Sequence, residues 1–209
     1  MGTLRAFGAM GFLCLSMAIT IGMAKAEQAS RWMPIGGLSR PPIGHLGFCQ
    51  DHPNECVKPA PLRSPSEPPQ PLSTSIIVAI AALNTRVNGA IVARSDQELY
   101  GVEEHWAFPA SGYGDCEDYV LEKRRELMAM GVDAANLLIT VVKKLDGTGH
   151  AVLTLRSDQG DFILDNLDWR IRPWRETSYR YIKRQSSTDP AQWRLVETYG
   201  DPLVSSVGR

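Results

Sequence analysis

Cysteine is scarce in this chain, neither sign of charge is in excess, and only one apolar run is long; each shortage excludes something. Twenty-two Lys and Arg stand against twenty-three Asp and Glu, with no basic cluster, so neither nucleic acid nor an acidic membrane surface is expected as the main partner. The arginines of residues 170–184 are dispersed among aromatics and read as a solvated strand face. Outside residues 6–23 no apolar stretch is long enough to span a bilayer. That run follows a basic Arg5 and ends at Ala24-Lys25-Ala26, an A-x-A cleavage pattern, so residues 1–26 read as a signal peptide. An uncleaved anchor is the alternative. A periplasmic or secreted location follows from cleavage near Ala26. No internal repeat is present, and low complexity is confined to one proline-rich stretch.

Of the four cysteines, Cys14 lies in the signal. Cys49 and Cys56 enclose a short loop, and in an oxidising compartment a disulfide between them is the expected state. A metal site of Cys49, His52 and Cys56 is the alternative, and it lacks an obvious fourth ligand. Cys116 is then left as a free thiol. It follows Gly112-Tyr113-Gly114-Asp115 and precedes a helical pattern in Tyr119, Val120, Lys123, Leu127 and Met130, closed by Gly131. Unpaired N–H groups and the positive end of the helix dipole favour a thiolate at such a position. Asp115 and Glu117 oppose this, so a cation, either an imidazolium or a metal ion, is required nearby.

Residues 27–71 are rich in Pro and Gly and are expected to form an irregular arm, unable to hold helix or sheet for long and pinned by the disulfide. Residues 72–197 carry the domain, and 198–209 a flexible tail. Leu72-Ser73-Thr74 caps a helix reaching about Ile91, with Ile76, Ile77, Ile80, Leu83, Val87 and Ile91 as its apolar stripe. Asn84 and Asn88 lie one turn apart on its flank and read as exposed or as a cap to a neighbouring loop. Past the cysteine helix come strands over residues 136–144, 150–156 and 161–165, with edge strands expected at 178–184 and 192–196. Helices followed by a β-meander make this an α+β domain.

His150 opens one strand and Asp165 ends the next, so an antiparallel hairpin brings them together. Cys116, His150 and Asp165 then have the residue types of a triad. The imidazole takes the thiol proton, and the carboxylate fixes the ring's tautomer and supports its charge. Trp106, in His105-Trp106-Ala107-Phe108-Pro109, is expected to line a wall near the cysteine and to contribute to the oxyanion side.

Gly114-Asp115-Cys116-Glu117-Asp118-Tyr119 followed by Lys123, then Gly149-His150-Ala151-Val152-Leu153, then Gly160-Asp161-Phe162-Ile163-Leu164-Asp165-Asn166, together resemble the bacterial transglutaminase-like cysteine peptidases. Residues 83–88 and 106–109 share that resemblance. It implies a papain-like or transglutaminase-like core and a periplasmic cysteine peptidase with the triad Cys116, His150 and Asp165. It implies a protein substrate too, of the kind in which a surface adhesin is clipped in biofilm control under an inner-membrane cyclic-di-GMP receptor. Calcium bound by Asp115 and Glu117 is the implied cofactor, with no organic cofactor. Acyl transfer to an amine, and a non-catalytic binding module on the same scaffold, are the alternatives. The long arm is a departure from the family pattern.

Overall fold

The computed structural model describes residues 31–57 and 69–197. The signal peptide of residues 1–26, its cleavage site, most of the proline linker and the tail from residue 198 lie outside these. Among the described residues no helix is long and apolar enough to cross a membrane.

The centre of the fold is a hairpin of β4 (Leu137–Lys143) and β5 (Gly149–Ser157), paired from Leu137↔Leu155 to Lys143↔Gly149. Its turn is closed by Thr148, whose N–H donates to Asp146 Oδ1 at 2.9 Å, and by Gly147 at φ +84°, a conformation that favours glycine. Strand β4 is apolar almost throughout because both of its faces are covered. Leu137 and Ile139, with Ala151, Leu153 and Leu155 of β5 and Leu164 of β6 (Gly160–Leu164), join the larger core. Val142, Val152 and Ile163 join a smaller one on the opposite side, with Met33, Trp174, Tyr181 and Val196.

Two helices cover the larger core. Helix α3 (Thr74–Ala90) starts at Ser73, whose Oγ accepts the Ile76 N–H at 3.3 Å, and buries Ile80, Leu83 and Val87. After the one-turn α4 (Asp96–Leu99), helix α5 (Cys116–Ala129) buries Tyr119, Val120, Leu121 and Leu127. Fully burying side chains of this size contributes about 1.5–3 kcal/mol each, which ties the helices to the sheet.

The proline-rich arm is more ordered than its composition implies. It contains β1 (Ile35–Ser39), α1 (Ile43–Asp51) and α2 (Pro53–Cys56). The prolines fall between these segments: Pro42 precedes α1 and Pro53 occupies its own helix's first position, where a missing N–H costs nothing. Strand β1 pairs antiparallel with β9 (Trp193–Val196), and β9 with β8 (Arg180–Gln185); with β7 (Arg172–Pro173) the order is β1-β9-β8-β4-β5-β6-β7. The two late strands are therefore interior, not edges as expected. The edges are β1 and the two-residue β7 (Arg172–Pro173). Through β1 the described part of the arm, residues 31–57, shares its sheet with the domain that begins at residue 72.

Cys49 and Cys56 are disulfide-bonded, with Cα atoms 5.6 Å apart. Beneath them His45 anchors α1 in the core. Its Nδ1 accepts from Trp193 Nε1 at 3.4 Å, the Gln185 amide lies 3.1 Å from its Nε2, and Trp106 and Trp193 meet its ring edge-on. A Cβ on Gly44 would come within 2.3 Å of the Trp106 ring, so only glycine permits this approach.

Burial, helped by the charges of Arg124 and Lys183, lowers the His45 pKa from 6.5 to about 4. The unfolded chain takes up this proton near pH 6.5 and the folded protein only near 4, so stability falls as pH drops through that window. The loss attributable to His45 is on the order of 3 kcal/mol. Melting temperatures of wild type and His45→Gln across pH 4–7 should therefore converge toward acid, the variant having the shallower slope. Parallel curves would show that His45 is not the group that titrates.

Candidate active site

The thiol is delivered by a short two-stranded parallel element. β2 (Val92–Ala93) pairs with β3 (Tyr113–Gly114), and the Arg94 N–H donates to the Gly114 carbonyl at 3.0 Å. Gly112 turns the chain at φ +79°. Gly114 has no room for a side chain, because a Cβ would sit 2.6 Å from Asp118 Oδ2. Asp118 is the clamp of this turn: it accepts the Asp115 N–H at 3.3 Å and the Ala107 N–H at 2.9 Å. Cys116 is then the first residue of α5, and its Sγ accepts the Ala151 N–H of β5 at 3.4 Å.

Strand register brings the other two groups together. Leu153 pairs with Leu164, so one further step places Asp165 beside Val152, on the face that also carries His150. His150 Nε2 lies 2.8 Å from Asp165 Oδ1, and both side chains are buried. The Leu167 N–H donates to the same oxygen at 3.0 Å, and the Tyr179 hydroxyl donates to Oδ2. These bonds and the His150 charge hold the Asp165 carboxyl below its ordinary range, against burial, which acts the other way and is the largest single influence. Behind it, the two asparagines of α3 grip the loop backbone. Asn88 Nδ2 donates to the Asp165 carbonyl at 2.8 Å, and Asn84 Nδ2 to those of Asp168 and Trp169 at 3.1 and 3.0 Å. Asn84 is fully buried, which corrects the exposed reading and leaves the cap to a neighbouring loop.

The thiol sits among acids. Its Sγ donates to Glu117 Oε2 at 3.0 Å, and burial first, then the Glu117 charge, push the Cys116 pKa far up. Burial and the Asp115 charge likewise raise Glu117. Ligand oxygens of Asp96, Asp115 and Asp118 lie within 4.8 Å of one another, and Asp115 and Glu117 form a second such group with Cys116. Asp118 is pushed up to about 7, mainly by burial and in part by the charges of Asp115 and Asp96. Asp96 Oδ1 and Asp115 Oδ1 are buried with no hydrogen-bond partner among the described residues. Lys123, two turns along α5 from Cys116, is fully buried, and its Nζ has no hydrogen-bond partner there. Burial lowers its pKa to about 7, against the field of Asp165.

A buried imidazole on a carboxylate, with the next residue's amide on a helix-start thiol, is the arrangement of a cysteine hydrolase. The profile of the bacterial transglutaminase-like cysteine proteinase family, BTLCP, matches residues 35–200. The chain belongs to that family. It is a cysteine peptidase with the transglutaminase-like fold. Among solved structures it is similar to calcium-bound LapG of Legionella pneumophila, at 23% identity and a TM-score of 0.51, over 62% of this chain and 74% of that one. EGTA-treated LapG of the same organism aligns at 22% identity and a TM-score of 0.48, over 59% and 68%. No curated protein sequence matches the chain.

One expected member of the peptidase site stands elsewhere. Trp106 is 5% exposed, its ring packs on His45 and Trp193, and its Nε1 donates to Glu104 at 3.2 Å. It seats the arm, and its N–H is already spent, so the oxyanion and substrate-wall assignment is withdrawn. Asp96 and Tyr179 sit in no motif and carry no local signal, whereas Lys123 falls both in the helix pattern and in the motif that bears the family resemblance, with no role attached to it. The asparagine pair was visible as two like residues one turn apart, a spacing that suits gripping consecutive carbonyls.

Replacing Asn84 by Leu keeps the branched shape but leaves the Asp168 and Trp169 carbonyls without their donor, a cost of about 1–3 kcal/mol. The expected result is a melting temperature several degrees lower by calorimetry. An unchanged transition would mean that the loop does not depend on this grip.

Proposed function

We propose that this peptidase hydrolyses a peptide bond of a protein substrate through Cys116, His150 and Asp165. The observation that carries the reading is the 2.8 Å contact of His150 with Asp165, one residue from the amide that touches the Cys116 sulfur. His150 takes the thiol proton, and Cys116 Sγ bonds to the substrate carbonyl carbon, placing negative charge on its oxygen. The Cys116 N–H, at the first position of α5 and so without an intrahelical acceptor, is the donor assigned to that oxygen. His150 passes its proton to the amide nitrogen, the C–N bond breaks, and an amine leaves from a thioester. Water, deprotonated by His150, then attacks the thioester, the C–S bond breaks, and the acid product and thiol are restored. Asp165 keeps the ring in one tautomer and supports its charge throughout.

The substrate class we assign, by resemblance, is a bacterial surface adhesin, with the enzyme acting in the periplasm in biofilm control and answering to an inner-membrane receptor. Labelling of protein N-termini in bacterial cultures expressing wild type or Cys116→Ala tests this. New termini on a surface protein are expected with wild type only, and identical termini in both would contradict hydrolysis.

Calcium is the cofactor we assign, and the donor set fits it. It is all oxygen and acidic, with Asp96 and Asp118 buried and Asp115 half-buried, and the Asp96 and Asp115 Oδ1 atoms lack partners among the described residues. Asp96, Asp115 and Asp118 would hold the ion, with Glu117 in reach through Asp115. Bound there, calcium supplies positive charge beside the thiol and order to the turn that enters α5. The relative LapG is described as calcium-bound. After chelation, millimolar calcium should raise the melting temperature of wild type by several degrees and leave Asp96→Asn unmoved. A wild-type transition indifferent to calcium would return the acids to a purely structural role.

A further inference from the structure

Asp165 has two oxygens, and the triad accounts for only one. Oδ1 takes His150 Nε2 at 2.8 Å and the Leu167 N–H at 3.0 Å, whereas Oδ2 takes the Tyr179 hydroxyl. A buried carboxylate bound at one oxygen can still swing about its last torsion, and a donor on the second oxygen removes that freedom. The Tyr179 ring also stands 5.5 Å from the His150 ring, tilted by 54°, so one residue touches both partners of the pair.

The segment bearing Tyr179 is itself fixed. Thr177 Oγ1 donates to the Trp174 carbonyl at 2.8 Å and lies 2.8 Å from the Tyr181 hydroxyl, which donates to the same carbonyl at 3.1 Å. Asn88 meanwhile holds the Asp165 backbone from α3. Asp165 is thus gripped from two elements, by its main chain and by its outer oxygen. Burial and the Asp165 charge both push the Tyr179 phenol up, so it stays a donor across the working range.

We propose that Tyr179 is a positioning residue of the triad, its hydroxyl locking Asp165 Oδ2 so that Oδ1 stays on His150. The inference rests on the triad reading above. Loss of the donor leaves Asp165 free to turn together with the His150 ring it holds, which misaims the ring at the thiol, and it makes the carboxylate more basic. A more basic carboxylate still on the ring holds the imidazolium proton to higher pH. The other titratable groups facing this cluster are Lys123 of α5, Asp168 of the following loop and Tyr181 of β8.

The test needs no substrate. The rate of Cys116 alkylation by iodoacetamide is measured against pH, with calcium present, in wild type, Tyr179→Phe, Asp165→Asn and the double variant. Tyr179→Phe is expected to lower the maximal rate about tenfold, the scale of a hydrogen bond to a charged group, and to move the alkaline limb upward. In the Asp165→Asn background the same change should cost less than about twofold, because a residue acting through Asp165 has nothing left to act on. An equal loss in both backgrounds, or an unshifted limb in a folded variant, overturns the proposal. Should Tyr179→Phe fail to fold, 3-fluorotyrosine placed at position 179 keeps the shape and strengthens the donor, and the limb must then move downward; a limb that stays put overturns it equally. Wild-type Cys116 reacting no faster than a free thiol would instead sink the triad, and this inference with it.

Discussion

A carboxylate taken out of water must be fully hydrogen-bonded or it does not stay ionised, and that constraint on Asp165 organises the centre of this protein. Its side chain is 3% exposed as a residue and satisfied by an imidazole, a backbone N–H and a phenol. Each donor comes from a different part of the chain: β5, the loop after β6, and the approach to β8. The hairpin register sets the first, the turn at Leu167 the second, and packing of the segment around Trp174 the third. The α3 asparagines add a hold on the backbone, so helix, sheet and loop meet at one residue.

The thiol faces the opposite difficulty. The helix start that should favour a thiolate carries Asp115, Glu117 and Asp118, with Asp96 brought in from upstream. Burial first, then the Glu117 and Asp115 charges, raise the thiol pKa, and its proton rests on Glu117 rather than leaving. Ionisation of Cys116 therefore calls for positive charge from outside this cluster. His150 can supply it when protonated, and a calcium ion among the oxygens would relieve the acids at the same time. Lys123 lies deeper, under Asp165, and burial makes it a weak cation near neutrality.

Much of this was legible in the chain itself. The hairpin, the cysteine helix and the juxtaposition of His150 with Asp165 follow from alternation and turn chemistry, which are local signals. The arm was misread because Pro and Gly density argues against regular structure, whereas β1 forms by pairing with β9, more than one hundred and fifty residues away (Leu38↔Arg194). The same long-range pairing turns the late strands from edges into interior ones. Asp96 and Tyr179 escaped because nothing in their neighbours signals a role; only the fold brings them to the site. Trp106 was misplaced because an aromatic near a catalytic turn reads equally as wall or as core, and the decisive partner, Gly44 with His45, lies in the misread arm.

In the proposed mechanism Cys116 works as a thiolate paired with the His150 imidazolium on Asp165. The most direct measurement is the pH dependence of Cys116 alkylation in the calcium-supplemented wild type beside His150→Gln. The wild-type rate is expected to remain high below pH 6, and the variant rate to appear only at or above the ordinary thiol range of about 8.5. Coincident profiles in the two proteins, both rising with a free thiol, would contradict it.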